Sequence, residues 1–501
     1  MHDPELLVDR DSELARLGEL IASGEPKLVL MYGRRRVGKT YLLGRAWKET
    51  NAQTFYFTAA ETTPAQNRAA LVAALAEWSG ETIDAEDYPT WRSVFRLLLD
   101  FRAPQPLVVV LDEFQYLGEN PGDLQGVTSE LNAAWEMRRP RRPLVLVLAG
   151  SAVRTLEALN EGGSPLYGRF AWQCRLRPFN YWYAGEMVGY ADPRERVYAY
   201  GIFGGTPRYL SAINPKRSVA RNAISLMLSP SGEVRELVQT ALLQEQGLRE
   251  IQKYAAILRA VGSGRTELNA IAQNAGLAAD TGLRDKLQRL IDLDYVRAGR
   301  NLGAKAREPF RYRIADPALR FYYDFVAPLE SALATQDPRL VWDRHIQPNL
   351  DGYIGLIFES VVEEAYYRLQ GQLDLPLVRE WGRWEGLDRD RRSLEIDIAS
   401  ILMDKRVLTG SVKWHKDPVD VEVHTDHLAM LDRLSQAGVS WAHQARSSES
   451  PLLYVASNGF TDRFIQAAKA TREEVYLWSL DEIFQPLSEP GPASEKDIVE
   501  I

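Results

Sequence analysis

The stretch KLVLMYGRRRVGKTYLLGRAWKE (residues 27–49) contains the pattern that decides the fold. Its first six residues form an apolar run typical of a buried strand, and its last nine have the composition of a helix. Between them lies the spacing Gly-x-x-x-x-Gly-Lys-Thr, formed by Gly33, Gly38, Lys39 and Thr40. The glycines let backbone N–H groups turn toward phosphate oxygens at a helix N-terminus. A strand, this loop and a helix in that order predict a phosphate-binding P-loop in an α/β domain with a parallel sheet.

The same spacing predicts a role for each polar residue of the loop. Lys39 is expected to act on the β- and γ-phosphates, and the Thr40 hydroxyl is expected to hold Mg²⁺. No Asn-Lys-x-Asp segment that would read guanine is present, so we expect ATP rather than GTP. The candidate cofactor-binding positions of the loop are Gly33, Val37, Gly38, Lys39, Thr40 and Tyr41.

Two further apolar runs end in residues that suit nucleotide hydrolysis. LVVVLDEFQYL (107–117) carries Asp112 and Glu113 at the carboxyl end of a predicted strand, where open α/β sheets place their chemistry. Asp112 is suited to bind Mg²⁺ through a water molecule, and Glu113 is suited to orient or activate the attacking water. LVLVLAG (144–150) ends at Ser151, which is placed to sense the γ-phosphate. An ordinary strand-ending turn fits the same serine.

Composition and charge limit the classes of protein that remain. A chain of 501 residues predicts two to four domains, with an ordinary globular composition of 45% apolar and 26% charged residues. The net charge of −8 excludes a uniform polycation, so any nucleic-acid surface must be a local patch. The single cysteine, Cys174, excludes an internal disulfide. With no apolar run of membrane-spanning length and no signal-peptide pattern, we expect a cytoplasmic protein without a membrane partner.

Taken together, GRRRVGKT, LDEFQYL and AGSAVR resemble the archaeal-type P-loop ATPases of the STAND/AAA-like group. VDRDSELARL (8–17) is similar to the entry segment of that family, and the resemblance implies that Arg10 and Glu13 lie near the adenine. FGGTPRYL (203–210) is similar to its glycine-glycine-x-proline segment, at a small helical lid after the sheet. The resemblance spans roughly residues 1–330 and implies an ATPase.

The sequence predicts different roles for Arg169 and for the three arginines of the P-loop. SPLYGR (164–169) is similar to the family segment whose arginine faces the nucleotide, which implies a catalytic role for Arg169, within its own chain or across a subunit contact. An ordinary surface arginine is the alternative. Arg34, Arg35 and Arg36 cannot all face one nucleotide, so we expect some of them to pair with carboxylates or with a neighbouring domain.

The middle of the chain has the pattern of a winged helix-turn-helix. Three helices are predicted at 252–264, 267–277 and 281–296, and the basic stretch 297–316 alternates like a β-ribbon. This basic face in an acidic protein is the expected local DNA patch. The alternative, which the resemblance implies, is a domain that packs on the nucleotide site and transmits its state. The candidate DNA contacts are Arg284, Lys286, Arg297, Arg300 and Arg307.

The C-terminal part is similar to the PD-(D/E)xK restriction-endonuclease-like core, because its predicted elements follow the order α-β-β-β-α-β. It also resembles a domain of unknown function that is commonly fused to this ATPase family. These elements are predicted at 352–370, 376–385, 393–402, 406–415, 426–438 and 451–459.

The candidate nuclease site of that domain lacks one acid. The resemblance implies metal-site roles for Asp397, Lys413 and Glu359, but Ser411 stands where a glutamate is expected. A hydroxyl is a poor ligand for a hard cation compared with a carboxylate, so we expect a degenerate site unless Glu395, on the same strand face, compensates. We interpret His415, His424 and His427 as surface histidines rather than metal ligands.

These patterns predict an α/β P-loop ATPase with ATP and Mg²⁺ as cofactors. Two functions fit: an ATP-hydrolysing switch or motor that acts on DNA, or a regulatory ATPase that binds a protein partner; an oligomer is possible in both. The predicted domains are the ATPase sheet (1–180), the helical lid (181–250), the winged helix (251–330), the nuclease-like domain (331–486) and an acidic tail (487–501).

Overall fold

The computed structural model of the chain describes most of its residues. The described ranges are 9–47, 50, 52–103, 106–138, 143–245, 248, 250–305 and 307–487. The predicted acidic tail therefore lies outside the described residues, except for Leu487. Within these ranges, no helix combines the length and the hydropathy that a membrane crossing would need.

A five-stranded parallel sheet forms the N-terminal domain, in the strand order β2-β3-β4-β1-β5. Its strands alternate between two packed faces: Leu28 and Leu30 contact one hydrophobic cluster, while Val29 and Met31 contact the other. Burial on both faces explains why the strands read as continuous apolar runs. The strands are β1 (Lys27–Tyr32), β2 (Gln53–Thr58), β3 (Leu107–Asp112), β4 (Leu144–Gly150) and β5 (Trp172–Arg175).

Helices pack on both faces of this sheet, and local caps explain where several begin. The Thr63 side chain accepts a hydrogen bond from the Gln66 N–H at the start of α3, where proline occupies the first turn. Asn120 caps α5 in the same way. The helices of this domain are α1 (Asp11–Ala22), α2 (Lys39–Ala46), α3 (Pro64–Ser79), α4 (Trp91–Asp100), α5 (Pro121–Glu136) and α6 (Val153–Glu157).

A helical segment follows the sheet, as predicted for the lid. Gly205 lies against the backbone of Phe179, where a Cβ atom would stand 1.8 Å from the Phe179 carbonyl oxygen. This close approach explains the second glycine of FGGTPRYL. The helices of the segment are α7 (Tyr181–Val188), α8 (Pro193–Phe203), α9 (Pro207–Leu210), α10 (Val219–Ala223) and α11 (Glu233–Gln239).

The middle unit (251–314) consists of three helices and an antiparallel hairpin, which are the elements predicted from the sequence. The helices are α12 (Ile251–Gly262), α13 (Leu268–Ala275) and α14 (Thr281–Asp292). The hairpin pairs β6 (Val296–Gly299) with β7 (Arg311–Ile314), so its strands are shorter than the predicted ribbon. Three helices lead onward: α15 (Pro317–Phe321), α16 (Glu330–Thr335) and α17 (Pro338–Val341).

The C-terminal unit (347–487) begins with the long helix α18 (Gln347–Leu369) and contains a second five-stranded sheet, ordered β14-β13-β12-β11-β8. The strand predicted at 393–402 is interrupted at Asp397: β10 pairs with β9 in a separate hairpin, and β11 joins the sheet. The remaining elements are β8 (Val378–Glu380), β9 (Trp384–Leu387), β10 (Ser393–Ile396), β11 (Ile398–Leu402), β12 (Val407–Lys413), α19 (Glu422–Gln436), α20 (Ala442–Ala445), β13 (Leu452–Ala456), α21 (Asp462–Thr471), β14 (Val475–Trp478) and α22 (Leu480–Ile483).

Short non-α helical segments complete the chain. The 3₁₀ segments are Ala85–Asp87, Phe114–Leu117, Ala158–Asn160, Leu242–Gln244 and Ala327–Leu329. The π-helical segments are Ile224–Leu228, Tyr322–Val326 and Trp342–Ile346.

The tip of the middle-unit hairpin inserts into the C-terminal unit. Leu302 is buried in a hydrophobic cluster whose other members lie beyond residue 380. Its N–H donates to the Arg383 carbonyl oxygen at 3.0 Å, and its carbonyl oxygen accepts from Trp441 Nε1 at 3.0 Å. Asn301 exchanges two hydrogen bonds with the Glu385 backbone. The hairpin therefore holds the middle and C-terminal units together.

Removing the Leu302 side chain tests this docking. Because Leu302 is 2% exposed, Leu302→Ala is expected to lower the free energy of unfolding of the C-terminal unit by about 2–5 kcal/mol, measured by urea denaturation. Leu387→Ala is the matched control, because it deletes the same atoms at a position that is 60% exposed. Equal urea midpoints for the two variants would show that the hairpin tip is not docked.

Candidate functional site

The P-loop has the conformation that its glycines predict. A Cβ atom at Gly33 would lie 2.2 Å from the Leu176 carbonyl oxygen, so no side chain fits there. Gly38 has a φ of 95°, in the left-handed region where glycine is not strained. Arg36 also has a positive φ, of 70°. The loop therefore turns sharply between β1 and α2, with the N-terminus of α2 behind it.

The Lys39 ammonium group is bound to the loop itself. Its Nζ donates to the Gly33 carbonyl oxygen at 2.7 Å and to the Arg34 carbonyl oxygen at 3.1 Å. Burial lowers the pKa of Lys39, and the nearby carboxylates of Glu113 and Asp112 act in the opposite direction. A phosphate that binds Lys39 must therefore compete with two carbonyl groups of the loop.

The two candidate Mg²⁺ ligands lie together at the carboxyl edge of the sheet. Thr40 Oγ1 donates to Asp112 Oδ2 at 3.1 Å. The Tyr56 hydroxyl donates to the same oxygen at 2.6 Å, and burial raises the pKa of Tyr56. A hydroxyl and a carboxylate are hard oxygen donors that fit Mg²⁺. Tyr56 was not predicted from the sequence, although it lies near the end of β2, beside β3.

The predicted catalytic residues Glu113 and Ser151 are in contact. Glu113 Oε2 accepts hydrogen bonds from Ser151 Oγ at 2.9 Å and from the Ser151 N–H at 3.1 Å. It also accepts one from the Gln115 amide, which the sequence did not single out. Glu113 has a φ of 51°, so its backbone leaves the strand direction at once. This arrangement fixes a carboxylate beside the P-loop, where it could orient a water molecule.

The predicted adenine-side residues also lie at this edge. Arg10 donates to the Arg177 carbonyl oxygen at 2.7 Å and to Glu13 Oε1 at 3.3 Å, and its guanidinium lies 5.0 Å from the centre of the Phe179 ring. The neighbouring Leu176 N–H bonds to the last residue of β1, which places Arg10 near the P-loop. A role of Arg10 and Glu13 at the adenine stays a prediction.

Two of the candidate loop positions differ in what they offer a nucleotide. Val37 is 1% exposed and packs in a hydrophobic cluster, so only its backbone is available. Tyr41, in contrast, is 48% exposed.

The three loop arginines extend away from the phosphate position. Arg34 is buried, forms an ion pair with Asp316, donates to Thr206 Oγ1 at 2.7 Å and lies 5.1 Å from the centre of the Tyr295 ring. The expectation that some loop arginines pair with carboxylates or with a neighbouring domain is confirmed for Arg34. Tyr295 belongs to the middle unit and Asp316 directly follows it, before α15, so Arg34 joins the P-loop to the middle unit and to the segment after it.

The other two arginines contact different segments. Arg35 donates to the Tyr116 hydroxyl at 3.1 Å, just beyond the Asp-Glu pair. Arg36 donates to the Leu237 carbonyl oxygen at 2.8 Å, in α11 of the helical segment. The P-loop therefore touches the sheet, the helical segment and the middle unit through consecutive side chains.

A buried carboxylate that the sequence did not single out lies near the same arginines. Glu245 accepts a hydrogen bond from the Tyr295 hydroxyl at 2.8 Å. Burial raises the pKa of Glu245, while the positive charges of Arg34 and Lys39 act in the opposite direction. No local pattern marked this residue, because its position depends on how the middle unit packs on the P-loop.

Arg169 does not face the nucleotide of its own chain. Its guanidinium pairs with Glu136 at 2.6 Å and is 44% exposed. The backbone two residues later bonds to Leu28, near the start of β1, whereas the P-loop follows the end of that strand. The separation is about five residues of strand, or roughly 16 Å. The expectation of a role within the same chain is wrong, and a role across a subunit contact stays a prediction.

Most of the candidate DNA contacts are not free. Lys286 pairs with Glu250 at 3.4 Å, and the Arg300 guanidinium stacks on Phe310. Arg297 and Arg300 line a cavity between the middle and C-terminal units, where Arg297 lies 3.9 Å from Glu363. Part of the basic ribbon is therefore engaged with the C-terminal unit, although the Arg297 side chain is still 43% exposed. The two candidates that remain exposed are Arg284 and Arg307.

The candidate nuclease residues do converge in the C-terminal unit. Asp397 Oδ2 accepts from Ser411 Oγ and from the Val412 N–H, both at 2.8 Å, and pairs with Lys413 at 3.4 Å. Carboxylate oxygens of Glu359, Glu395 and Asp397 lie within 4.8 Å of one another. Glu395 therefore lies where a replacement for the missing acid would be needed.

An arginine that the sequence did not single out crosses this acidic group. Arg383 pairs with Glu359 at 2.8 Å and also with Glu395. Burial raises the pKa of Glu359, and Arg383 acts in the opposite direction. The guanidinium thus supplies positive charge where a metal ion would otherwise supply it.

Two of the histidines interpreted as surface residues are buried. His424 Nδ1 is 2.8 Å from the Tyr454 hydroxyl, and His427 Nε2 is 3.1 Å from Thr409 Oγ1. Burial lowers the pKa of His427 to about 3, so it is neutral at neutral pH. Each of the two histidines therefore contacts a different hydroxyl group. We interpret them as core residues of α19 rather than as a metal site.

Comparison with known proteins shows which families and proteins the chain is similar to. An uncharacterized protein of Methanocaldococcus jannaschii is 26% identical over 432 residues, covering 83% of this chain and 89% of that protein. Residues 7–213 match a family described as an ATPase domain predominantly from Archaea. Residues 322–425 match a family of archaeal and bacterial proteins of unknown function. The chain therefore carries an ATPase domain, as the P-loop predicts.

Solved structures also resemble part of the chain. The Walker-type ATPase of Pyrococcus abyssi is 20% identical with a TM-score of 0.44, and the match covers 63% of this chain and 96% of that one. The ORC2 protein of Aeropyrum pernix, in ADPNP and ADP complexes, is 18% identical with a TM-score of 0.43, covering 66% and 96%.

The geometry predicts separate effects for the lysine and the glutamate. Lys39→Ala is expected to abolish Mg·ATP binding, because it removes the ammonium group at the phosphate position. Glu113→Gln is expected to keep binding and to slow turnover by about 10²–10⁴-fold, because an amide cannot accept a proton from water. Calorimetric titration and a phosphate-release assay measure the two effects.

Lys216→Ala and Glu119→Gln are matched controls, because both residues are exposed and lie outside the site. Equal ATP turnover in the wild type and in Lys39→Ala would contradict this assignment.

Proposed function

We propose that this protein is an ATP-hydrolysing switch in which the nucleotide state of the P-loop controls the position of the middle unit. The observation that supports this proposal is the buried contact of Arg34 with Asp316, Thr206 and Tyr295. A nucleotide site that served hydrolysis alone would not need a loop residue buried against a domain far along the chain.

Lys39 links phosphate binding to the contact of Arg34 with Asp316. In the structure its ammonium group bonds to the carbonyl oxygen of Arg34 itself. When Lys39 turns to a phosphate, Arg34 loses this backbone partner. Its side chain cannot move alone, because a buried guanidinium that leaves its carboxylate is strongly destabilised. Phosphate binding is thus expected to move Arg34 and Asp316 together.

Duplex DNA is the proposed target of the switch. In the structure the hairpin arginines face the C-terminal unit: Arg313 bonds to Glu385 at 2.9 Å, and Arg311 pairs with the same carboxylate. If the middle unit is a winged helix, release of its hairpin would expose these arginines together with Arg297 and Arg300 to phosphates. The alternative is a regulatory ATPase whose released hairpin binds a protein partner, favoured by the carboxylate partners that the hairpin already has.

DNA cleavage is not part of this proposal. Arg383 already pairs with Glu359 and Glu395, and Lys413 pairs with Asp397. These two cations compensate the carboxylates that a divalent metal ion would need, so we interpret the C-terminal unit as a docking domain for the hairpin.

The test is duplex affinity with and without nucleotide, measured at several salt concentrations. Glu113→Gln, loaded with Mg·ATP, is expected to bind duplex about 5–150-fold more tightly than without nucleotide, the range of typical coupling between sites. Its affinity should also depend more steeply on salt, because more arginines contact phosphates. Absence of duplex binding in both states at low salt would favour the protein-partner alternative.

Removing both charges of the Arg34–Asp316 pair tests whether ATP changes duplex affinity through this pair. In the Glu113→Gln background, Arg34→Met with Asp316→Leu removes both charges and leaves no unpaired buried ion, so ATP binding should remain while its effect on duplex affinity disappears. Arg175→Met with Asp294→Leu is the matched control, because this pair also joins the sheet to the middle unit but lies outside the P-loop. Equal ATP effects in the two paired variants would contradict the switch.

A further inference from the structure

A cavity of about 340 Å³ lies where the hairpin of the middle unit meets the C-terminal unit. Its walls include Arg297 and Arg300 from the hairpin side and Trp381, Glu359 and Asp397 from the C-terminal side. The volume is within the range of about 300–1,000 Å³ that is typical of small-molecule sites. It is separate from the P-loop, because none of the loop residues lines it.

The acidic residues of the cavity already have cationic partners. Glu385 pairs with Arg311, Arg313 and Arg383, and Glu359 pairs with Arg383. Asp397 pairs with Lys413 and accepts two further hydrogen bonds. Glu380, which also lines the cavity, is exposed to solvent.

Two arginines on the hairpin wall of the cavity are compensated less closely. Arg300 stacks on the Phe310 ring at 3.8 Å, and its buried Nε has no hydrogen-bond partner among the described residues. Arg297 lies 3.9 Å from Glu363, which is beyond hydrogen-bonding distance. Burial, together with the nearby charges of Arg383 and Arg297, lowers the pKa of Arg313 to about 10. The lining holds as many arginines as carboxylates, so its formal charges balance, and the least compensated cations, Arg297 and Arg300, lie on the hairpin wall.

The opposite wall offers an aromatic surface. Trp381 is half-buried and lines the cavity. The rings of Tyr366 and Tyr367 pack against it, with centroid distances of 5.1 and 6.0 Å, which fixes its position. A nucleobase stacked on an indole in this way gains about 1–3 kcal/mol in single-strand-binding proteins.

We propose that this cavity binds a nucleotide unit through its phosphate and its base. The phosphate is held by Arg297 and Arg300, which form charge-assisted hydrogen bonds with anionic oxygens, and the base lies against Trp381. The shared chemistry is that of a 5′-phosphorylated nucleotide, either free or at the end of a single strand. A duplex is excluded, because the docked hairpin closes the cavity on one side.

The test uses the full chain carrying Lys39→Ala, so that binding at the P-loop does not contribute and the result does not depend on the switch proposal. The probes, titrated by calorimetry, are AMP, adenosine and inorganic phosphate. AMP is expected to bind about tenfold or more tightly than adenosine, because a charge-assisted hydrogen bond contributes about 1.5–3 kcal/mol. Failure of AMP to bind at millimolar concentration would overturn the proposal.

Variants locate the binding. Arg297→Gln with Arg300→Gln should weaken AMP binding about tenfold or more, whereas Arg339→Gln with Arg344→Gln, at exposed positions outside the cavity, should leave it unchanged. Trp381→Leu should weaken AMP but not inorganic phosphate. Equal AMP affinity in the two arginine pairs would overturn the assignment. Circular dichroism confirms that each variant is folded.

Oligonucleotide probes distinguish a free nucleotide from the end of a single strand as the ligand of the cavity. Tighter binding of a 5′-phosphorylated (dA)₈ than of AMP would assign the cavity to a strand end, and the reverse order would assign it to a free nucleotide. Both results support the cavity as a nucleotide site. If (dA)₈ without a 5′-phosphate binds as well as the phosphorylated strand, the proposed role of Arg297 and Arg300 is wrong.

Discussion

The buried ion pair between Arg34 and Asp316 is the interaction on which the arrangement of the domains depends. It joins residues 282 positions apart, one just after the first glycine of the P-loop and one at the start of α15. Breaking a buried pair by removing one partner costs about 3–5 kcal/mol, because the other charge remains out of water. Asp316 also caps α15 by accepting the Leu319 N–H at 3.0 Å. A displacement of Asp316 would therefore disturb the helix as well as the pair.

A second constraint is that arginines of the basic hairpin are paired with the C-terminal unit. Its arginines act as counterions for the C-terminal unit, with Glu385 shared by Arg311, Arg313 and Arg383. Carboxylates of the protein itself thus compensate the basic ribbon. An acidic protein can therefore contain this ribbon without a bound nucleic acid. For the same reason, DNA binding by this ribbon requires a state in which the hairpin has left the C-terminal unit.

Local patterns in the sequence predicted the parts of the fold that depend on neighbours along the chain. The P-loop, the Asp112–Glu113 pair and the three helices of the middle unit follow from apolar period, glycine spacing and caps. Ser151 and Glu113 could be placed together because both end strands of a parallel sheet. The convergence of Glu359, Asp397 and Lys413 in the C-terminal unit was implied by the resemblance to the PD-(D/E)xK core.

Contacts between distant segments could not be predicted in this way. Arg169 follows a loop whose position relative to the strand ends no local pattern reveals. The partners of Arg34, the contact of Arg297 with Glu363 and the crossing of Arg383 over the acidic group depend on how separate units dock. His424 and His427 are buried because α19 packs on the second sheet, while their spacing alone fits an exposed helix equally well.

The most direct test of the coupling between the P-loop and the middle unit is amide hydrogen exchange in Pro317–Phe321 and in the two hairpin strands, Val296–Gly299 and Arg311–Ile314. Exchange is followed in the full chain carrying Glu113→Gln, with and without Mg·ATP. If phosphate binding displaces Arg34 and Asp316, ATP should accelerate exchange in these segments, and the acceleration should be absent in Lys39→Ala. Unchanged exchange in ATP-bound Glu113→Gln would contradict the coupling.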